Sequence, residues 1–132
     1  MSHSDGDVLL HALTDAILGA LGEGDIGQLF PDDDPRNEGA ASSRFVAEAV
    51  RRMHAKGLAI GNVDLTVICQ RPKLADRRIA IITRVAELLG CAAERVNLKG
   101  KTHEEVDAVG EGRAIEAVAS VLLVPELRHN PG

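Results

Sequence analysis

Val63-Asp64-Leu65-Thr66-Val67 alternates apolar and polar residues, the period of a strand with one face in a core and the other outside it. Its surroundings read as helix or turn, and that contrast decides the fold. Upstream, Phe45, Val46, Ala49, Val50 and Met53 recur at helical spacing. Ser42 and Ser43 precede them as expected helix caps, and Gly57 stands where a helix usually closes. Before that, Val8, Leu9, Ala12, Leu13, Ala16, Ile17, Ala20 and Leu21 predict a helix over residues 6–21, with Ser4, Asp5 or Asp7 as its cap. Residues 22–41 hold four Gly, two Pro and the run Asp32-Asp33-Asp34, which predicts a long irregular loop of the kind that tends to bear function.

Downstream, Pro72 stops the strand. Ile79, Ile82, Val85, Ala86 and Leu89 mark a third helix closed by Gly90, and a short strand follows over residues 96–99. Residues 114–124 are ambiguous by period, but Val118, Val121 and Val124 lean towards strand. The expected fold class is α/β: one domain over residues 1–132, a two-layer sandwich of a small mixed sheet with helices on one face. Three strands are fewer than a sheet usually has, and one face is left bare, so something is missing or is supplied by a partner.

The chain has 132 residues, 45% of them apolar, and a formal net charge of −5. That suits one soluble globular domain, and no apolar run reaches the ~18 residues of a membrane span. An acidic balance, no Trp, no Tyr and only Phe30 and Phe45 argue against nucleic acid as a partner. Cys69 and Cys91 match neither a disulfide framework nor a zinc knuckle, and no secretory signal opens the chain. Free, buried thiols in a reducing cytoplasm are the expectation.

Several segments can bear chemistry. His3, Ser4, Asp5 and Asp7 stand at a helix start, where backbone amides favour an anion such as phosphate. His11 follows one turn after Asp7. The same residues read equally as a solvated terminus, favourable helix-start charges and a tolerated polar position. A two-histidine, one-carboxylate iron site is disfavoured, because such ligands come from different elements. Asp32, Asp33 and Asp34 are a cation site or a solubilising loop. Gln70-Arg71-Pro72-Lys73 exits a strand, where α/β sheets often bind ligands. Lys99-Gly100-Lys101-Thr102-His103-Glu104 mixes cations, a hydroxyl and a carboxylate, which suits phosphate with a divalent ion.

Taken in order, these segments resemble the 2-C-methyl-D-erythritol 2,4-cyclodiphosphate synthase family. The resemblance rests on His3-Ser4-Asp5-Gly6-Asp7-Val8 with Leu10-His11-Ala12-Leu13-Thr14-Asp15-Ala16, then Gly24-Asp25-Ile26-Gly27 and Leu29-Phe30-Pro31-Asp32. It continues through Gly61-Asn62-Val63-Asp64, Pro72-Lys73 and Asn97-Leu98-Lys99. It implies a homotrimeric lyase of non-mevalonate isoprenoid synthesis, with each active site between subunits. The substrate is a small cytidine diphosphate compound whose own phosphate attacks the β-phosphorus and expels CMP.

The resemblance also implies roles. His11 would bind zinc, and Glu104 a second divalent ion, magnesium or manganese. His3 and Ser4 would contact phosphate, with His3 and Thr102 as the catalytic pair. Asp25, Ile26 and Gly27 would hold the methylerythritol hydroxyls beside a loop of Phe30, Pro31, Asp32, Asp33 and Asp34. Cys69, Gln70, Arg71, Pro72, Lys73, Leu74 and Ala75 would form the cytosine pocket, and Lys101, Thr102, His103 and Glu104 would line the phosphates.

Three departures accompany it. The family's Asp-x-His pair, which completes the zinc site on an N-terminal strand, is nowhere in this chain. An N-terminally incomplete chain, through a gene model begun at an internal methionine or a true truncation, is the expectation. The family's Thr-Thr-Thr-Glu stands here as Lys101-Thr102-His103-Glu104. The segment after it is shorter, and no family role transfers to residues 106–113. The rival functions are an inactive trimer that binds cytidine nucleotides or a prenyl diphosphate, and a metal-dependent phosphohydrolase.

Overall fold

The alternation at residues 63–67 is the middle of a longer strand, β1, which runs Leu58–Cys69 in the computed structural model. Residues 3–29, 38–69, 77–101 and 114–127 are described. Around β1 the order is α1 (His3–Leu21), α2 (Ile26–Leu29), α3 (Glu38–Ala55), β1, α4 (Arg78–Leu89), a 3-10 turn (Ala93–Arg95), β2 (Val96–Lys101) and β3 (Ala114–Pro125). The sheet is mixed, ordered β2-β1-β3, with β2 parallel and β3 antiparallel to β1.

Side-chain parity places the helices. Val63, Leu65 and Val67 of β1 and Val96 and Leu98 of β2 are buried, while Asp64, Thr66, Asn97 and Lys99 point the other way. The buried face meets Leu9, Leu13, Ile17 and Leu18 of α1, Val46, Ala49 and Met53 of α3, and Val85, Ala86 and Leu89 of α4. α1 packs on α3 and β3, and α4 on β2. Two layers with helices on one face follow, as the period required. On the bare face Val118 and Leu122 of β3 are 46% and 60% exposed.

β1 turns a corner at Gly61, where its register with β3 shifts between Ile60 and Asn62. A Cβ there would stand 2.8 Å from Val124 Cγ1 and 3.1 Å from Leu122 O, so only glycine lets β3 approach. At the sheet's other edge Arg78 Nε donates to Leu98 O at 3.1 Å. That bond satisfies a carbonyl on an edge strand.

Four sequence expectations need correction. The long loop over residues 22–41 contains α2, and α3 already begins at Glu38. Ser42 is therefore no cap: it is buried within α3 and donates to Asp7 Oδ1 at 2.7 Å. Asp7, expected as a helix-start charge or cap, lies inside α1 and is 8% exposed, because α3 lies across it. Cys91 is a free thiol as expected but only half-buried, and burial pushes its pKa up.

α1 and α3 are tied at the far end too. Lys56 Nζ donates to Leu21 O at 2.8 Å, and Glu23 pairs with Arg52 at 3.3 Å and Lys56 at 3.5 Å. On α3, Arg51 and then Arg52 hydrogen-bond Glu48 and hold its carboxyl down at about 2, against an ordinary 4.5. A carboxyl depressed by folding contributes stability above its unfolded value and loses it as pH falls through the folded one. Glu48→Gln should therefore cost about 0.5–1 kcal/mol at pH 7, as surface ion pairs do. The difference should vanish as pH falls from 4.5 towards about 2, read from urea midpoints across that range.

Candidate functional site

One stripe of α1 organises the candidate site. Asp7, His11 and Asp15 follow each other at four-residue intervals, so their side chains share one face of the helix. Each fixes a different neighbour. Asp7 accepts from Ser42. The exposed His11 ring lies 5.5 Å from the buried Phe45 ring, tilted by 46°. Asp15 Oδ1 accepts the backbone N–H of Ile26 at 3.0 Å.

The turn that Asp15 holds is reached through two left-handed positions. Gly22 and Gly24 have φ of 71° and 86°, a conformation that suits glycine. Asp25 then caps α2, its Oδ1 accepting the Gln28 N–H at 2.9 Å, and its side chain is exposed. Gly27 is likewise exposed and Ile26 half-buried. The turn is thus tied to the helix that carries the imidazole.

A second cluster lies across the bare sheet face. Asp64 accepts from Lys99 Nζ at 2.9 Å and from Asn97 Nδ2 at 3.0 Å. These bonds, Lys99's first, hold its carboxyl below the usual range, with a smaller contribution from the charge of Lys101. Lys99 is thereby engaged with Asp64, whereas Lys101, exposed at the end of β2, leads towards Thr102.

Of the sequence-predicted residues, the structure describes Asp25, Ile26, Gly27, His11 and Lys101. It brings the first four to α1 and leaves Lys101 at the end of β2. The backbones of His3 and Ser4 lie in the first turn of α1 and that of Cys69 ends β1; their side chains lie outside the described residues. So do Phe30, Pro31, Asp32, Asp33, Asp34, Gln70, Arg71, Pro72, Lys73, Leu74, Ala75, Thr102, His103 and Glu104. Sequence reasoning gave no role to Asp15 and placed Phe45 only in the apolar stripe of α3. An acid on an exposed helix face looks like solvation until the chain folds Ile26 back onto it, eleven positions later.

An exposed imidazole with its ring set against Phe45 suits one ligand of a tetrahedral zinc site. The donor set does not close: among the described residues no three His, Cys, Asp or Glu side chains converge. Nor is any helix among them long and apolar enough to cross a membrane.

A mixed three-stranded sheet with helices on one face, and a site strung along its first helix, defines a small α/β sandwich class of protein. The chain belongs to the YgbB family, which it matches over residues 1–124. It is 56% identical over 123 residues to the chloroplastic 2-C-methyl-D-erythritol 2,4-cyclodiphosphate synthase of Arabidopsis thaliana, covering 93% of this chain and 53% of that protein. The corresponding synthase of Escherichia coli O127:H6 is 50% identical over 124 residues, with 94% and 78% covered. Plasmodium falciparum IspF, solved as a CDP complex, superposes with a TM-score of 0.78 at 42% identity, covering 96% of this chain and 76% of that one. The chain spans about half the length of the plant relatives it matches.

Proposed function

We propose that this chain acts in a 2-C-methyl-D-erythritol 2,4-cyclodiphosphate synthase, converting 4-diphosphocytidyl-2-C-methyl-D-erythritol 2-phosphate to the cyclic diphosphate and CMP. An oxygen of the 2-phosphate forms a bond to the β-phosphorus. The bond from that phosphorus to the CMP oxygen breaks, and CMP leaves with the electron pair. Nucleophile and electrophile belong to one molecule, so the protein's work is to fold the substrate and to offset charge.

The observation that supports this most directly is the common anchorage of His11 and the Asp25-Ile26-Gly27 turn on α1. Asp25, Ile26 and Gly27 would hold the methylerythritol hydroxyls, the second carboxylate oxygen of Asp25 accepting from one of them. His3 and Ser4, in the first turn of α1, would contact phosphate together with Lys101, Thr102 and His103, and His3 and Thr102 would steady the developing charge. Cys69, Gln70, Arg71, Pro72, Lys73, Leu74 and Ala75 would read the cytosine edge, and Phe30, Pro31, Asp32, Asp33 and Asp34 would flank the hydroxyls. His11 would be one zinc ligand, with the rest of the set outside the described residues, and Glu104 would hold magnesium or manganese. Bound divalent ions polarise phosphoryl oxygens.

A homotrimer packed through the bare sheet face would bury Val118 and Leu122, and would place each site between subunits. The setting would be the cytoplasm. The test is product analysis with the diphosphocytidyl substrate. CMP without inorganic phosphate is expected. Phosphate release would instead indicate a phosphohydrolase, and nucleotide binding without turnover an inactive relative.

Asp25→Asn tests the hydroxyl contact on its own. The amide keeps the capping oxygen for Gln28 but removes the charge, so the fold should persist while KM rises about 10- to 100-fold, the worth of a hydrogen bond to a charged group. Unfolding, seen by circular dichroism, would assign Asp25 to structure instead.

A further inference from the structure

We propose that Asp15 is a positioning residue: by accepting the Ile26 N–H it fixes where the Asp25-Ile26-Gly27 turn stands relative to His11, and so where the polyol end of the substrate is held. The proposal rests on the function proposed above and deepens it.

Two carboxylates meet at the start of α2, and they do different things. Asp25 caps Gln28, three residues on, so it shapes the turn from within. Asp15 reaches Ile26 from α1, so it fixes the turn to the helix that carries His11. Ile26 is the first residue of α2, and its N–H is among those a helix leaves without an internal partner. The connection from α1 passes through Gly22 and Gly24, whose backbones have more freedom than any other residue's. With Asp15 removed, the turn keeps its own cap and shape; Gly22 and Glu23 stay bonded to the end of α1, Glu23 N–H donating to Leu18 O at 2.9 Å, which leaves Gly24 as the permissive link to the turn. Its position relative to His11 is then no longer determined by that bond. His11 and Asp15 are one turn apart, about 6 Å between neighbouring side-chain origins, so the distance from imidazole to turn is set over a single helical step.

The test compares Asp15→Ala with Asp15→Asn in the full-length protein, because the amide oxygen of Asn still accepts the Ile26 N–H. Asp15→Ala should raise KM for the diphosphocytidyl substrate about tenfold, the worth of roughly one such hydrogen bond, with kcat little changed. Affinity for CDP, which lacks the polyol, should stay within about twofold, and Asp15→Asn should restore KM to within about threefold. Amide hydrogen exchange at Ile26 should quicken in the Ala variant and stay slow in core positions such as Leu13. An unchanged KM in Asp15→Ala would overturn the proposal. So would a parallel loss of CDP affinity, which would make Asp15 a general fold residue. If the unmodified protein forms no CMP, the proposed function fails and takes the substrate role of Asp15 with it. Unchanged exchange at Ile26 alongside normal turnover would overturn the anchor alone.

Discussion

Replacing His11 by Ala should lower kcat/KM by at least about 100-fold in the full-length protein while the chain still folds, since loss of even an outer-shell partner of a metal ligand typically costs 10- to 100-fold. The two halves of that expectation come from different contacts. The His11 ring is exposed and lies against Phe45, so truncation should cost about 0.5–1.5 kcal/mol of stability, the value of an aromatic pair. Activity has no such cushion if the imidazole is a zinc ligand. Zinc per chain should fall with turnover, and CDP binding at the base pocket should persist. Wild-type rates in this variant would remove the zinc role from His11. A collapse of the thermal transition would show instead that the ring's contact with Phe45 matters to the fold.

The stripe on α1 also shows what a sequence can and cannot convey here. Strand β1 was legible because Val63, Leu65 and Val67 repeat at two-residue spacing, and β3 because its β-branched residues outweigh an ambiguous period. Helix α4 was legible down to Gly90, whose left-handed φ of 69° closes it. Period, however, reports only which way a residue faces along its own element. Ser42 looks like a cap in sequence because its neighbours in the chain are polar and small. Its burial is decided by Asp7, 35 positions earlier. Helix α2, four residues long, is too short to show any period, and hides among glycines and prolines. The candidate site divides in the same way. His11 and the Asp25-Ile26-Gly27 turn were found through resemblance, whereas Asp15 needs the fold, because its one contact joins two elements across a turn.

Ser42→Ala should destabilise the chain by about 2–3 kcal/mol, more than removal of one hydroxyl usually costs, because it takes the Ser42 donor from a buried acid. Asp7 is 8% exposed, and its Oδ2 already lacks a partner. Ser42 Oγ, at 2.7 Å from Oδ1, is its donor from α3. Removing both polar groups should cost less than the two single changes suggest, since apolar replacement of a buried pair can be nearly neutral. In a cycle of Ser42→Ala, Asp7→Val and the double variant, urea denaturation should return a coupling of about 1–3 kcal/mol. A loss under about 0.5 kcal/mol for Ser42→Ala, the level of an ordinary surface change, would mean that the carboxyl finds another donor. The pair also matters beyond stability, because it joins the first turns of α1 to the early turns of α3, next to His3 and Ser4. Loosening it should therefore weaken the proposed phosphate contacts before it unfolds the sheet, and KM for the substrate should rise in Ser42→Ala at temperatures where the chain remains fully folded.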